Sequence, residues 1–308
     1  MINLKKVLLF CLLIILIPVI IVNIFIKTEE IKFEYKENMQ VRVKRTNGNI
    51  ENIPIEDYIV GVLAGEMPTS FNKEALKAQA VAARTYVMKK MSYNLKNDYD
   101  VVDTVMDQVY LDNNYLKDAW KENYIKNINL FKTAVIETYS EYMTYNDEII
   151  EAFYFSTSTG KTENSGDVFQ KQMPYLISVD SSWDNISPVY EETKYFTLTD
   201  FYQKLGIKYS TTLNVENIST TSTGRIKSLK INNVLKKASD ITSILNLRSS
   251  YFKIEQMNNI VKITTKGYGH GVGMSQYGAE AMARLGYTYD KILKYYYQGI
   301  EIKKMYKS

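Results

Sequence analysis

The feature that most constrains this chain is an apolar run close to its start. Residues 7–26 carry no charged side chain, and a helix of about 20 residues, rising about 1.5 Å per residue, spans the hydrocarbon core of a bilayer. Two lysines precede the run, so the positive-inside rule places the N-terminus in the cytoplasm and the remainder outside. The sequence therefore predicts a single-pass protein of the cell membrane. Residues 1–27 would be the cytoplasmic tip and anchor, and residues 28–308 an extracytoplasmic domain.

A cleaved signal peptide is the alternative interpretation of this run. The apolar region of a signal peptide is shorter and ends in small residues, whereas this run ends in Val22-Asn23-Ile24-Phe25-Ile26. We therefore favour an uncleaved anchor. Cys11 is the one cysteine of the chain and lies inside the run, so the remainder has no thiol for a disulfide or a thiolate metal ligand.

The composition excludes several classes of protein. The 308 residues include one histidine and one cysteine, too few for multi-histidine zinc sites, iron–sulfur clusters or a disulfide framework. Lysine and arginine total 38 against 34 acidic residues, a net charge of +4. This small excess of positive charge does not favour nucleic acid as a partner. We expect neither a metal site nor a cofactor.

Turn and cap signals predict a hairpin followed by two helices. Asn47-Gly48 is typical of the turn between two short antiparallel strands. Pro54 suits the start of a helix, and the apolar residues after it recur at helical spacing until Pro68 ends the pattern. Asn72 is a favourable N-cap for the second helix, which we expect to reach about residue 91.

The second half of the chain predicts strands and loops. Residues 149–155 have the pattern of an apolar strand, and a Ser/Thr/Gly loop follows them. Residues 180–251 are polar, and we expect an irregular loop and a short helix there, with one alternating strand at residues 225–231. Residues 251–255 and 261–265 should pair across the turn-prone Asn258-Asn259.

Glu66 is the strongest local indication of chemistry. It prolongs the apolar stripe of the first helix, which favours partial burial, and it lies at the helix C-terminus, where the dipole disfavours negative charge. Both effects raise the pKa of a carboxyl group and favour the protonated form that a general acid needs. The alternative is a structural ion pair between Glu66 and Arg84 or Lys77 that holds two helices together.

His270 and Ser275 lie in a glycine-rich stretch that leads into the last predicted helix, 275–285. One histidine cannot form a multi-histidine metal site, but glycines allow close approach of the backbone to a ligand. His270 is therefore either a site residue or a hydrogen-bonded residue of a strained loop. The sequence around Ser275 is not the Gly-x-Ser-x-Gly elbow of a hydrolase, so we interpret Ser275 as a helix N-cap.

Several blocks of the sequence resemble the stage II sporulation protein D family, and the amidase enhancers share much of the pattern. The first block is Ala64-Gly65-Glu66-Met67-Pro68. The others, in the same order as in the family, are residues 74–86, 107–110, 155–163, 267–279 and 292–300. The blocks are spread over about residues 53–302, which is nearly all of the predicted extracytoplasmic part.

The resemblance implies a peptidoglycan lytic transglycosylase that acts during endospore engulfment in the mother-cell membrane facing the septal wall. Such an enzyme cleaves glycan strands whose stem peptides have been removed, and leaves 1,6-anhydro ends. The resemblance places the catalytic acid at Glu66 and implies stage II sporulation proteins P and M as partners. Candidate residues lining the glycan groove, carried over from family positions, are Lys77, Arg84, Gln108, Tyr110, Ser156, Thr162, His270, Gln276 and Tyr277.

The chain departs from the family pattern at one loop. Many members have a histidine before the serine of the Ser/Thr/Gly loop, and some bind zinc through it and an upstream cysteine. Here that position is Phe155, and no cysteine is available, so we expect no zinc. A lytic transglycosylase needs a single acid. Glu163 is the one other carboxylate in the matched blocks that we consider as a second catalytic group.

Two further functions stay open at this point. The chain could be a non-catalytic wall-binding activator of a peptidoglycan amidase, or a scaffold in a membrane complex. The expected fold is α+β, with the N-terminal transmembrane helix followed by a mixed domain. In that domain, a helical catalytic part would lie beside a strand-rich part.

Overall fold

The structure is a computed structural model that describes Phe10, Leu12 and residues 14–17, 29–34 and 39–305. It has the mixed α+β architecture that the sequence predicts. The predicted membrane anchor, and with it the single-pass membrane location, is corrected. None of the described helices is long and apolar enough to cross a bilayer. Most of the run 7–26, Cys11 included, and the predicted boundary between residues 27 and 28 lie outside the described residues.

A hairpin opens the well-described part of the chain. Strand β1 (Gln40–Lys44) pairs antiparallel with β2 (Ile50–Pro54), and β1 also pairs parallel with β3 (Val101–Val102). The turn contains Gly48, whose φ of 89° is accessible to glycine at little cost. The Asn47-Gly48 prediction is confirmed.

Two helices form the centre of the first hydrophobic core. Helix α1 (Ile55–Glu66) follows Pro54 directly and ends before Pro68. Helix α2 (Lys73–Tyr93) is capped by Asn72, whose side chain accepts the backbone N–H of Glu74 at 2.9 Å. Both helices lie where the sequence predicts them, and α2 ends two residues later than predicted. Most of the middle of α2 is buried, because α1 and later helices cover it on several sides.

Shorter elements complete this core. They are α3 (Asn113–Trp120), α4 (Tyr124–Glu137), β4 (Glu141–Tyr145), β5 (Glu148–Ile149), β6 (Tyr154–Phe155) and α5 (Ser165–Phe169). The single strand predicted over residues 149–155 is wrong, since β5 and β6 are separate two-residue strands in different sheets. Its apolar residues, among them Ile150 and Ala152, are buried in the core without regular pairing.

A second hydrophobic core lies in the segment between residues 191 and 266. Its elements are β7 (Glu191–Thr197), α6 (Leu198–Leu205), β8 (Val215–Thr220), β9 (Ile226–Ile231), β10 (Val234–Lys237), α7 (Ala238–Ile244), β11 (Phe252–Met257) and β12 (Ile260–Lys266). The sheets have the orders β10-β9-β8 and β11-β12-β7. The predicted hairpin across Asn258-Asn259 is confirmed. The alternating strand and the short helix expected within residues 180–251 are confirmed by β9 and α7. The expected irregular loop is wrong, because Phe201 and Leu229 belong to a packed core.

The chain then returns to the first core. Its last elements are β13 (Met274–Ser275), α8 (Gln276–Arg284), α9 (Tyr289–Tyr296) and β14 (Glu301–Lys304). Strand β13 pairs parallel with β6, which brings the glycine-rich stretch beside the Ser/Thr/Gly loop. Ser275 caps α8 by accepting the N–H of Gly278 at 3.2 Å. The predicted last helix and its cap are confirmed.

Candidate active site

The carboxyl group of Glu66 lies partly buried at the C-terminus of α1. Its Oε1 accepts the backbone N–H of Val109 at 3.0 Å, and its Oε2 accepts the side-chain amide of Gln276 at 3.2 Å. Burial raises the pKa of Glu66, while these two hydrogen bonds act to lower it. Neither donor carries a charge, so burial prevails and the proton is held more tightly than in water.

Gly65 allows the segment with Val109 to come this close. A Cβ at position 65 would lie 2.5 Å from the carbonyl oxygen of Val109, closer than side-chain atoms pack. The absence of a side chain on Gly65 therefore lets Val109 lie against the end of α1.

Gln276 is the first residue of α8, and a buried carboxylate fixes the backbone beside it. Asp184 is fully buried, and its Oδ2 accepts the backbone N–H of Ser158 and the hydroxyl of Ser275, both at 2.5 Å. Its Oδ1 accepts the hydroxyl of Ser181 at 2.9 Å. Burial raises the pKa of Asp184, and these hydrogen bonds oppose the rise. Asp184 thus ties the Ser/Thr/Gly loop to the start of the helix that carries Gln276.

A shell of tyrosines lies around the carboxyl group. Burial raises the pKa of Tyr58, Tyr86 and Tyr154, and the negative charge of Glu66 raises each further. Gln108, 1% exposed, links two of them by accepting the hydroxyl of Tyr58 at 3.2 Å and donating to the hydroxyl of Tyr154 at 2.9 Å. These phenols remain neutral at neutral pH, so they add no charge of their own beside Glu66, and the nearby carboxylate of Asp107 accepts the hydroxyl of Tyr86 at 3.0 Å.

The structural ion pair considered for Glu66 is absent from the described residues, because both cations bind elsewhere. Arg84 is fully buried and contacts Glu56, with its Nη2 2.5 Å from Oε2 of that residue. Lys77 lies 2.9 Å from Glu74 and 3.4 Å from Glu137. The structure therefore leaves Glu66 with neutral hydrogen-bond donors, and does not bring Arg84 into the site.

The other predicted groove residues separate into two groups. The first group contacts Glu66 or its tyrosine shell and consists of Gln108, Gln276 and the backbone next to Tyr110. The ring of Tyr110 stacks on that of Tyr58, with the ring centroids 5.4 Å apart. Ser156 accepts the backbone N–H of Tyr277 through its carbonyl at 3.1 Å. Thr162 is buried, and its hydroxyl accepts the N–H of Val179 at 2.9 Å, which makes it part of the loop framework.

His270 is a neutral, hydrogen-bonded residue. Its Nδ1 accepts the backbone N–H of Val272 at 3.1 Å, and its ring packs against Phe153, Phe155 and Phe169. Burial and the nearby charge of Arg225 lower the pKa of His270 to about 4, against an opposing hydrogen bond to the Tyr154 backbone. Of the two interpretations, the structure favours a role in fixing the glycine-rich loop, since both sides of the imidazole are engaged.

Glu163 is occupied in a second buried ion pair. It is fully buried and its carboxylate lies 3.2 Å from Nε of Arg225. Within the described part of the chain no three His, Cys, Asp or Glu side chains are grouped as a metal site would require. That the chain needs no metal or cofactor stays a prediction.

Sequence reasoning did not find two of the groups that shape the site. Asp184 lies in a polar segment without periodicity. Val109 contacts Glu66 through its backbone N–H, and the residue type at a position does not reveal a contact of the backbone. The Asp107-Gln108-Val109-Tyr110 block, which resembles the family, indicates this part of the site, but through the side chains of Gln108 and Tyr110.

The comparisons with known proteins agree with the resemblance. A family model described as SpoIID, stage II sporulation protein, matches residues 43–145. Stage II sporulation protein D of Bacillus subtilis (strain 168) is 43% identical over 272 residues, covering 86% of this chain and 79% of that protein. The protein of that name from Bacillus amyloliquefaciens is also 43% identical, with the same coverage. An amidase enhancer of Bacillus subtilis (strain 168) is 32% identical, covering 78% of this chain and 39% of its own length. The chain belongs to the stage II sporulation protein D family, and this membership supports a role in sporulation.

Removing the Gln276 hydrogen bond should shift the pH dependence of the site. Because that bond lowers the pKa of Glu66, Gln276→Leu is expected to raise it further. A γ-carbon NMR titration of Glu66 would show the shift directly. If Glu66 acts as an acid, activity that is lost as pH rises through this pKa will persist to higher pH in the variant. A titration curve identical to that of the wild type would contradict the assigned contact.

Proposed function

We propose that this protein is a peptidoglycan lytic transglycosylase that cleaves denuded glycan strands during endospore engulfment, with Glu66 as its one general acid and base. The observation that carries the proposal is the state of that carboxyl group. It is partly buried, its pKa is raised, and only uncharged groups donate to it. A carboxyl group in this setting can hold a proton near neutral pH and release it to a leaving group.

The proposed reaction has two proton transfers and uses no water. Glu66 donates its proton to the glycosidic oxygen as the bond from that oxygen to C1 of N-acetylmuramic acid breaks. An oxocarbenium-like transition state forms at C1. The Glu66 carboxylate then takes the proton of the C6 hydroxyl of the same sugar as O6 bonds to C1. The products are a 1,6-anhydro sugar and a free hydroxyl on the departing strand, and Glu66 is protonated again.

The environment of Glu66 suits both halves of this cycle. The protonated form is favoured by burial before cleavage, and the N–H of Val109 and the amide of Gln276 stabilise the carboxylate that forms during it. Hydrolysis with two carboxylates would need a second free one about 5–10 Å away. Glu163 is committed to Arg225, which supports the one-acid route.

The test is a digest of glycan strands from which an amidase has removed the stem peptides. Incubation with the purified protein should release fragments with anhydro ends, and mass spectrometry should find them lighter than reducing ends by one water. Reducing ends alone would indicate a hydrolase and would contradict the proposal. Sporulation proteins P and M, which the resemblance implies as partners, can be tested by adding each of them to the same digest.

A second function is favoured by the likeness to the amidase enhancer. In that case the protein would bind denuded or intact wall without cutting it, and would raise the rate of a peptidoglycan amidase. An amidase assay with and without the protein distinguishes the two. Amidase stimulation without anhydro products would support the activator.

A further inference from the structure

A cavity of about 360 Å³ lies at the C-terminal end of α2. The end of α2, the turn between β4 and β5, and the segment after α5 all line it. Three of its lining residues are Tyr93, Tyr145 and Tyr175, and Tyr93 is 60% exposed. The proposed mechanism does not use this cavity, and none of its lining residues is among the groove positions carried over from the family.

The tyrosines of the cavity are held by contacts within the protein. The rings of Tyr145 and Tyr175 pack together with their centroids 5.4 Å apart. The hydroxyl of Tyr93 donates to Oε1 of Glu151 at 2.6 Å, and the hydroxyl of Tyr175 accepts the backbone N–H of Glu151 at 3.0 Å. The rings are therefore positioned before a ligand arrives, which lowers the entropy lost on binding. Such rings suit a ligand that is apolar on one face and polar at its edge, as a sugar ring is.

The charges of the cavity lining cancel. Lys89 and Lys171 contribute two positive charges, and Glu148 and Glu151 contribute two negative ones. The ammonium group of Lys89 lies over the ring of Tyr93, 5.2 Å from its centroid. A balanced lining offers no net attraction to an anion, so the cavity suits an uncharged ligand.

A short segment with partly exposed side chains joins the cavity to the surroundings of Glu66. Glu151 lines the cavity, and three residues later the hydroxyl of Tyr154 accepts the side-chain amide of Gln108 in the tyrosine shell. Three residues of chain span at most about 11 Å. Within this segment every residue except Ala152 is partly exposed, so the segment offers a ligand a surface along this path.

Helix α2 follows the same path on its other side. Tyr86 of the tyrosine shell and Tyr93 lie on one face of the helix, seven residues or about 10 Å apart. The ring centroid of Tyr86 lies 6.4 Å from that of Phe153, and Tyr93 contacts Glu151. The segment therefore runs alongside the helix, and a polymer lying on the two can reach Glu66 at one position and the cavity at another.

We propose that this cavity is a distal glycan subsite that binds an N-acetylglucosamine ring of the strand that Glu66 cleaves. The inference rests on the proposed function, because it needs a strand in place at Glu66. N-acetylglucosamine is the uncharged sugar of such a strand, whereas N-acetylmuramic acid without a stem peptide carries a carboxylate. The balanced charges and the tyrosine rings suit the uncharged sugar. A strand has to extend about 10 Å beyond Glu66 to fill the cavity, so short fragments would lack this contact.

Binding of a neutral oligosaccharide tests the subsite without relying on cleavage. The ¹⁵N-labelled protein is titrated with oligomers of N-acetylglucosamine. The backbone signals of Asn146, Lys171 and Gln172, which line the cavity, should shift. Added salt should not weaken the binding, because the ligand carries no charge. Shifts confined to residues outside the cavity would overturn the proposal.

Substitution of the exposed tyrosine locates the contact. Tyr93→Ala should weaken oligomer binding about 10-fold, whereas Tyr93→Phe keeps the ring and should keep most of the binding. Tyr195→Ala removes a tyrosine that is 63% exposed and lies outside the cavity, and it should have no effect. Equal effects of Tyr93→Ala and Tyr195→Ala would contradict the assigned site.

Digests of denuded glycan separate this proposal from the proposed function. Tyr93→Ala should raise KM for long strands about 10-fold and leave kcat unchanged, because the distal contact is the same before and during cleavage. Cleavage with the KM of the wild type in this variant would overturn the subsite and leave the proposed function in place. Oligomer binding as expected, without cleavage of any strand, would count against the catalytic function alone.

Discussion

Glu66→Gln is expected to reduce the release of anhydro ends from denuded glycan by about 10²–10⁴-fold, the usual contribution of a general acid and base. The amide keeps the size of the carboxyl group and can still accept the N–H of Val109, but it has no proton of suitable acidity to give. Product counts by mass spectrometry, at several enzyme concentrations, measure the loss. Glu301→Gln removes an exposed carboxylate far along the chain and is the matched control.

The same variant should fold at least as well as the wild type. The folded-state pKa of Glu66 is raised, so its favourable contribution is present below the unfolded-state pKa and is lost as pH rises through the folded value. Glutamine has no charge to bury, so the free energy of unfolding of the variant relative to the wild type should increase over that pH range. Full activity in a folded Glu66→Gln protein would leave the amidase activator as the better function.

Breaking the buried pair of Arg84 and Glu56 is expected to destabilise the fold strongly. Both side chains are at most 2% exposed, and Arg84 also donates to the carbonyl of Glu141 at 3.0 Å. Arg84→Met or Glu56→Leu leaves the partner charge buried and unpaired, which typically costs about 3–5 kcal/mol. Unfolding in guanidinium chloride, followed by circular dichroism, measures each loss.

The double variant separates this structural role from a role in the glycan groove. With both charges gone, the loss should be much smaller than the sum of the single losses, because no unpaired charge remains. If Arg84 instead bound the substrate, Arg84→Met would keep the wild-type stability and raise KM. The cycle therefore decides whether the family position of Arg84 reflects packing or binding in this chain.

The sequence identified Glu66 because its signal is local. A carboxylate that continues an apolar stripe, between Gly65 and Pro68, indicates burial at a helix end without knowledge of the rest of the fold. Gln276 could be assigned only to a groove, since its contact with Glu66 joins residues 210 positions apart. Asp184 gave no signal at all, because a buried acid in a loop has the same local sequence as an exposed one.

The second hydrophobic core escaped prediction for a related reason. Between residues 191 and 266 the elements are short, and their outward faces are polar, so few windows show a strong period. The pattern is clear only where the alternation is regular, as in β9, β11 and β12. The transmembrane prediction was wrong for a different reason. It relied on the apolarity and the length of the run, and no described helix combines the two.

The pairing of β6 with β13 joins segments that are synthesised at different times, because β13 comes much later in the chain. Translation delivers Glu66 early, but its amide donor emerges only after a further 210 residues, when the segment with its own core has already left the ribosome. A nascent or prematurely terminated chain ending before β13 cannot present the carboxyl group in its final surroundings. Competence is thereby tied to completion of the polypeptide.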